Sequence, residues 1–157
     1  MTSVIWATML WGIVLILLPI ERLRLIWPVG IISFILLFII DFTFSNLGYY
    51  KFIGEAFAIG GIPLFYLAGG AAGGILLVNW LNRNVWSKII AILLFSSLLV
   101  ISEYIFLITG VFKHLHNFDL LISFTLNIAG LSMLVWLSFA VVGEEEIYNG
   151  NKGRFYV

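Results

Sequence analysis

The sequence predicts an all-α polytopic membrane bundle with five transmembrane helices. Of its 157 residues, 62% are hydrophobic and only 10% are charged, whereas soluble domains carry about 25% charged residues. The apolar residues come in long unbroken blocks, which are typical of membrane-spanning helices. The zero net charge and the lack of cysteine exclude a basic nucleic-acid-binding surface, disulfides and thiolate metal sites.

Short polar connections join the five predicted spans. The first block ends before the charged residues 21–24, and Pro28 suits the first turn of the next helix, where its missing amide hydrogen costs nothing. The Gly-Gly-Ile-Pro run at 60–63 predicts an irregular entry into the third span. Residues 45–55, which include Glu55, are expected to form an interfacial loop or a short surface helix. The predicted single domain, residues 1–157, has spans at 4–20, 28–44, 59–81, 88–109 and 119–142 and a cytoplasmic tail at 143–157.

The distribution of basic residues predicts the orientation of the bundle. Five spans place the two termini on opposite sides of the membrane, and the positive-inside rule assigns the more basic side to the cytoplasm. That side would hold Arg22, Arg24, Arg83, Lys88, Lys152 and Arg154, and the other only Lys51 and Lys113. We therefore predict a multi-pass protein of a bacterial plasma membrane with its N-terminus out and its C-terminus in.

The third block has a centre almost free of side chains. Gly69 and Gly73 form one pair of small residues four apart, and Gly70 and Gly74 form a second. In lipid, this spacing lets a neighbouring helix approach backbone to backbone. The block is therefore predicted to be the central packing helix. A less favoured alternative is that its glycines line a groove for a flat lipid or isoprenoid.

Acidic and amide side chains within the apolar blocks predict a polar pocket. In the five-span topology, Asp41, Glu103 and Asp119 lie toward the outer ends of three helices, and Asn127 shares a face with Asp119. Acids within a membrane usually face the bundle or a watery cavity. The alternative is that the acids Asp41 and Glu103 reach the headgroups or cap a neighbouring helix, and that the polar faces of the fourth and fifth helices form hydrogen bonds between helices.

His114 and His116 raise the hypothesis of a metal site. Two histidines one residue apart point the same way in an extended loop, and a carboxylate from Asp119, Glu103 or Asp41 would complete a ligand set. The simpler interpretation is a solvated loop with both histidines near the headgroups. We expect no metal and no cofactor.

Four short motifs are spread over most of the chain: Leu18-Pro19 before Arg22 and Arg24, Asp41 at the end of the second helix, Glu103-Tyr104, and Thr109-Gly110. They resemble motifs of small, functionally uncharacterised multi-spanning membrane proteins of endospore-forming bacteria. This resemblance implies a helical bundle and no particular activity, and it gives some weight to Asp41 and Glu103. The membrane domains of carotenoid cyclases are similar in helix size and in bearing intramembrane acids, but their paired acidic motifs are absent here.

Three functions are compatible with this sequence. The favoured one is a non-enzymatic membrane module that binds a lipid or another ligand, or assists assembly of a complex, with membrane lipids, a second copy or another membrane protein as partner. The second is an intramembrane enzyme that uses Asp41 and Glu103 as acid and base, or a histidine–carboxylate metal site. The third is a small transporter. It would have to be oligomeric, because one chain of five helices lacks the repeated halves that transporters typically use.

Overall fold

The computed structural model describes residues 2–54 and 57–149, and most of them are helical. Three helices, α2, α4 and α5, are long and apolar enough to cross a membrane. The helices α1 and α3 are also apolar but have 16 and 17 residues. The prediction of a helical membrane protein is confirmed to this extent. The helices are α1 (Thr2–Leu17), α2 (Ile20–Asn46), α3 (Leu64–Trp80), α4 (Val85–Ile108), α5 (Leu120–Val142) and the short α6 (Glu144–Tyr148).

Helices α2 and α3 begin furthest from the starts of their predicted spans. Helix α2 begins directly after Pro19, so the charged residues 21–24 are helical and Pro28 lies inside the helix. Apolar membrane helices tolerate an internal proline because neighbouring groups compensate for the lost hydrogen bond. Helix α3 begins at Leu64, because the residues before it form a hairpin with both glycines at positive φ.

Four short strands lie at one end of the bundle, which we call the strand end. Strand β1 (Tyr50–Phe52) pairs antiparallel with β4 (Phe112–His114), and β2 (Ala58–Ile59) pairs with β3 (Ile62–Pro63). The segment predicted as an interfacial loop or surface helix therefore contains a strand instead. Glu55 lies outside the described residues. The β1–β4 pair links the α2–α3 connection to the α4–α5 connection by backbone hydrogen bonds. In this pairing, His114 lies opposite Tyr50.

Helix α3 packs against all four of the other long helices, and its glycines permit this close approach. A β-carbon added at Gly69 would lie 2.5 Å from the Trp6 ring, and one at Gly70 would lie 2.3 Å from Leu37 Cδ2. At Gly74 it would lie 2.5 Å from Ser33 Oγ. Gly73 differs, because a β-carbon there would have no neighbour within 4 Å among the described residues.

Buried Arg22 holds the opposite end of the bundle together, which we call the arginine end. Its guanidinium donates to Asn79 Oδ1 at 2.9 Å, to the Glu146 carbonyl at 3.1 Å and to the Ile147 carbonyl at 2.8 Å. These bonds join α2, α3 and α6. The first residues of the predicted cytoplasmic tail thus form a docked helix, in which Ile147 is buried. Residues 150–157 lie outside the described part of the chain.

Replacement of Gly74 by alanine tests the glycine packing. The new methyl group would overlap Ser33 Cβ, which lies 2.6 Å away and cannot rotate clear. We expect a loss of about 1–3 kcal/mol in the free energy of unfolding, measured by denaturation in detergent. Gly73→Ala is the matched control, because it faces open space and gains helix propensity. Equal stability of the two variants would contradict the packing role of Gly74.

Replacement of Arg22 by methionine tests the link to α6. The substitution keeps an apolar side chain but removes the donor to two α6 carbonyls and to the Asn79 side chain. Hydrogen bonds from a charged group each contribute about 1.5–3 kcal/mol to stability. We expect faster proteolysis within residues 143–149 and lower thermal stability. The exposed Arg24, replaced in the same way, is the control. If Arg22→Met resists protease as the parent does, α6 docks without this contact.

Candidate binding cavity

A cavity of ≈ 110 Å³ lies among the five long helices and extends to the strand end. A space of this size holds several water molecules. Its walls are mostly apolar, from side chains such as Trp6, Leu10 and Phe106, and its polar groups are few. Three residues of the predicted polar pocket, Asp41, Glu103 and Asn127, line this cavity.

One wall of the cavity is the glycine face of α3. Gly69, Gly70, Gly73 and Gly74 all line it, but Gly73 alone has no neighbour that a β-carbon would meet. The space beside Gly73 therefore belongs to the cavity rather than to a helix contact. Gly69, Gly70 and Gly74 therefore pack against neighbouring side chains, whereas Gly73 faces the cavity.

The carboxyl group of Asp41 is buried at the strand end of the cavity. The Tyr50 hydroxyl donates to Asp41 Oδ1 at 2.5 Å. Oδ2 accepts no hydrogen bond of good geometry from the described residues, although the Tyr66 hydroxyl lies beside the carboxyl group. A buried carboxyl oxygen without a partner costs free energy, so it favours a ligand or water that bonds to it.

Strand β1 positions Tyr50 for this contact. The Tyr50 ring is 2% exposed and packs against Phe112 and Phe118, with ring centroids 4.9 and 5.1 Å apart. Burial, followed by the negative charge of Asp41, raises the pKa of Tyr50 far above its ordinary value. The hydroxyl consequently stays protonated and donates to Asp41 at any physiological pH.

Glu103 forms a second polar centre on the cavity wall. Its Oε1 lies 2.5 Å from His114 Nε2, and the Ser123 hydroxyl donates to its Oε2. Strand β4 supplies the histidine and α5 the serine. The carboxylate lies between the two partners, so His114 does not contact Ser123 as the base of a Ser-His-acid triad must. Glu103 also interacts electrostatically with Asp41.

Asp119 and His116 do not take part in this site. Asp119 caps α5, where its side chain accepts hydrogen bonds from the amides of Leu121 and Ile122 at 3.0 and 2.9 Å. His116 Nδ1 bonds to the Gly48 carbonyl oxygen at 2.8 Å. The two histidines therefore have separate partners. Among residues 2–54 and 57–149, no three His, Cys, Asp or Glu side chains are placed to hold a metal ion.

The sequence interpretation missed the role of Tyr50, Tyr66 and Trp6. Tyr50 lies in the segment predicted to be an interfacial loop or a short surface helix, but it is buried against Asp41. A signal existed in the two runs Tyr50–Phe52 and Phe112–His114, each of which places a lysine between two ring-bearing residues. This period-2 pattern is typical of a strand with one buried face. Nothing in the sequence near Tyr66 or Trp6 indicates contact with the cavity.

Comparisons with known proteins do not assign this chain to a group. No family model matches it, and no curated protein and no solved structure matches it at a significant level. The geometry of the cavity is therefore the basis for proposing a function.

Tyr50→Phe tests the buried hydrogen bond. The substitution keeps the ring in its aromatic cluster but removes the donor to Asp41 Oδ1, and an unsatisfied buried acceptor costs about 1–3 kcal/mol. We expect a loss of that size in the free energy of unfolding in detergent. Tyr49→Phe is the matched control, because Tyr49 is 42% exposed. A parental stability for Tyr50→Phe would mean that water replaces the hydroxyl without cost.

Proposed function

We propose that this protein is a non-enzymatic multi-pass membrane module that binds an amphiphilic ligand in its cavity. The observation that carries the proposal is a buried carboxyl oxygen of Asp41 at one end of a mostly apolar cavity. Among the described residues it has no hydrogen-bond partner of good geometry, although the Tyr66 hydroxyl lies beside the carboxyl group. Ligand sites typically combine apolar walls with a few placed polar groups. The polar end of the ligand would bond to Asp41, and its apolar part would lie along the glycine face of α3.

The charges of the lining residues narrow the ligand class. Among the described residues, two carboxyl groups, Asp41 and Glu103, line the cavity, and no lysine or arginine does so. Glu103 has a nearby histidine as a compensating partner, whereas the described partners of Asp41 are tyrosine hydroxyls. An anionic head would meet like charge in a low-dielectric site, which costs free energy. The ligand would therefore carry an uncharged or cationic head that can form hydrogen bonds.

The proposed topology has five spans in a plasma membrane, with the N-terminus out and the C-terminus in. Trp6, near the start of α1, contacts Phe106, near the end of α4, and Arg22 of α2 bonds to Asn79 near the end of α3. These contacts support helices that alternate in direction. A 16-residue helix is about 24 Å long, which is close to the hydrocarbon thickness of about 30 Å. The strand end and cavity would then face outward.

A second candidate function is intramembrane acid–base chemistry. It is favoured by the presence of both Asp41 and Glu103 on the lining of one cavity and by the His114–Glu103 pair at 2.5 Å, since such groups can exchange protons with a substrate. Glu103→Gln distinguishes the two functions, because it would abolish turnover but retain binding at Asp41.

Gly73→Leu tests the cavity proposal. Its side chain would enter the space beside Gly73 without a clash at its β-carbon and would block a ligand there. Native mass spectrometry in detergent would measure retention of three probes with the same four-carbon chain, which suits a cavity of this size: an alcohol, an amine and a carboxylate. We expect the parent to retain the alcohol or the amine over the carboxylate, and Gly73→Leu to retain neither.

Gly12→Leu is the matched control for this experiment. Gly12 is also helical, a β-carbon there also meets nothing within 4 Å, and it does not line the cavity. Probe retention that survives Gly73→Leu, or that falls equally in Gly12→Leu, would refute binding in the cavity. Preferred retention of the carboxylate would refute the ligand class.

A further inference from the structure

A second concave site lies on the outside of the bundle, between α1, α2 and α3. This groove has a volume of ≈ 420 Å³, and its floor consists of small residues, Gly30, Ala68 and Ala71. Aromatic side chains, including Trp11 and Trp27, form its walls. It is separate from the cavity, with which it shares no lining residue.

The interior of this groove offers almost nothing polar to a ligand. The Trp11 indole donates to the Ala68 carbonyl oxygen at 2.9 Å, so this polar group is already satisfied within the chain. The remaining lining side chains are hydrocarbon apart from the Trp27 indole, which is 55% exposed. An occupant of the groove must therefore be an apolar chain, with any polar group at the exposed Trp27 end.

An exposed arginine side chain, Arg24, lies on the same face of α2 as that end of the groove. Arg24 is exposed and forms no ion pair with the described residues. It precedes Trp27 by three residues and Ile31 by seven in the same helix, so the three share one face. The neighbouring Arg22 is buried and bonds to α3 and α6. Glu21, the acidic residue three positions before Arg24, lies in the first turn of α2.

We propose that this groove binds an anionic phospholipid of the leaflet at the arginine end. One acyl chain would lie against Gly30, Ala68 and Ala71, and the phosphate and anionic headgroup would pair with Arg24 and accept from the Trp27 indole. Membrane anions attract basic residues close to the surface, and tryptophan is enriched at the membrane interface. The groove would bind an anionic headgroup, whereas the cavity would bind an uncharged or cationic head. The proposal therefore does not depend on the cavity ligand.

Native mass spectrometry with two competing lipids tests the proposal. The full chain in detergent receives equal amounts of phosphatidylglycerol and phosphatidylcholine with identical acyl chains, and the ratio of the two bound lipids is measured. We expect phosphatidylglycerol to predominate. Arg24→Gln should lower that ratio roughly three- to fivefold, since one basic residue near the surface contributes on this order. Ala68→Phe, which fills the groove floor, should lower binding of both lipids.

Two controls match these variants. Arg83→Gln removes a cation of the same end that is already paired with Glu145 at 2.6 Å, and Ile39→Phe enlarges an exposed residue of α2 outside the groove. Neither should change the ratio or the amount bound. An equal effect of Arg83→Gln and Arg24→Gln, or no preference in the parent, would overturn the headgroup assignment.

A competition experiment keeps the groove testable if Ala68→Phe does not fold. Water-soluble glycerol 3-phosphate carries the phosphate without an acyl chain. It should not displace bound phosphatidylglycerol at concentrations at which lysophosphatidylglycerol, with one chain, does so. Equal displacement by both compounds would show that Arg24 binds the phosphate without the groove.

Discussion

The lack of side chains on one face of α3 is the constraint on which the rest of this structure depends. Because Gly69, Gly70 and Gly74 carry no β-carbon, Trp6, Leu37 and Ser33 reach the α3 backbone. Ser33 donates to the Gly70 carbonyl oxygen at 2.8 Å, so the close approach also forms an interhelical hydrogen bond. In a membrane, where burial of apolar surface adds little between helices, such packing and hydrogen bonding hold the bundle together.

The same glycine face creates a cavity where no neighbour fills the space. Gly73 lies among the packing glycines, yet a β-carbon there would have no neighbour within 4 Å in the described part of the chain. Close packing at Gly69, Gly70 and Gly74 keeps the helices in place while the space beside Gly73 stays open. Helix packing and an open cavity are therefore two consequences of one glycine run, and the position of the neighbouring side chains decides which applies at a given glycine.

Buried Arg22 and buried Asp41, at opposite ends of the bundle, differ in how completely they are hydrogen-bonded. At the arginine end, Arg22 donates to a side chain and to two backbone carbonyls, which stabilises the docked α6. At the strand end, the Tyr50 hydroxyl donates to one oxygen of Asp41, and the other oxygen has no partner of good geometry among the described residues. Buried polar atoms are nearly always hydrogen-bonded, so an exception calls for water or a ligand as the partner. This difference is the reason for placing the candidate site at the strand end.

The sequence by itself determined the membrane class and the approximate positions of the helices, because long apolar blocks must be helical in lipid. It also identified Asp41, Glu103 and Asn127 as candidate polar residues, since such side chains are costly in a membrane and stand out. It did not predict the start of α2, because Arg22 looks like the end of a span unless its partners on α3 and α6 are known. Only the tertiary structure decided that Tyr50 bonds to Asp41 and that Gly73 faces a cavity. These outcomes depend on how α2, α3 and the β1–β4 pair are placed against one another, which no local pattern of residues encodes.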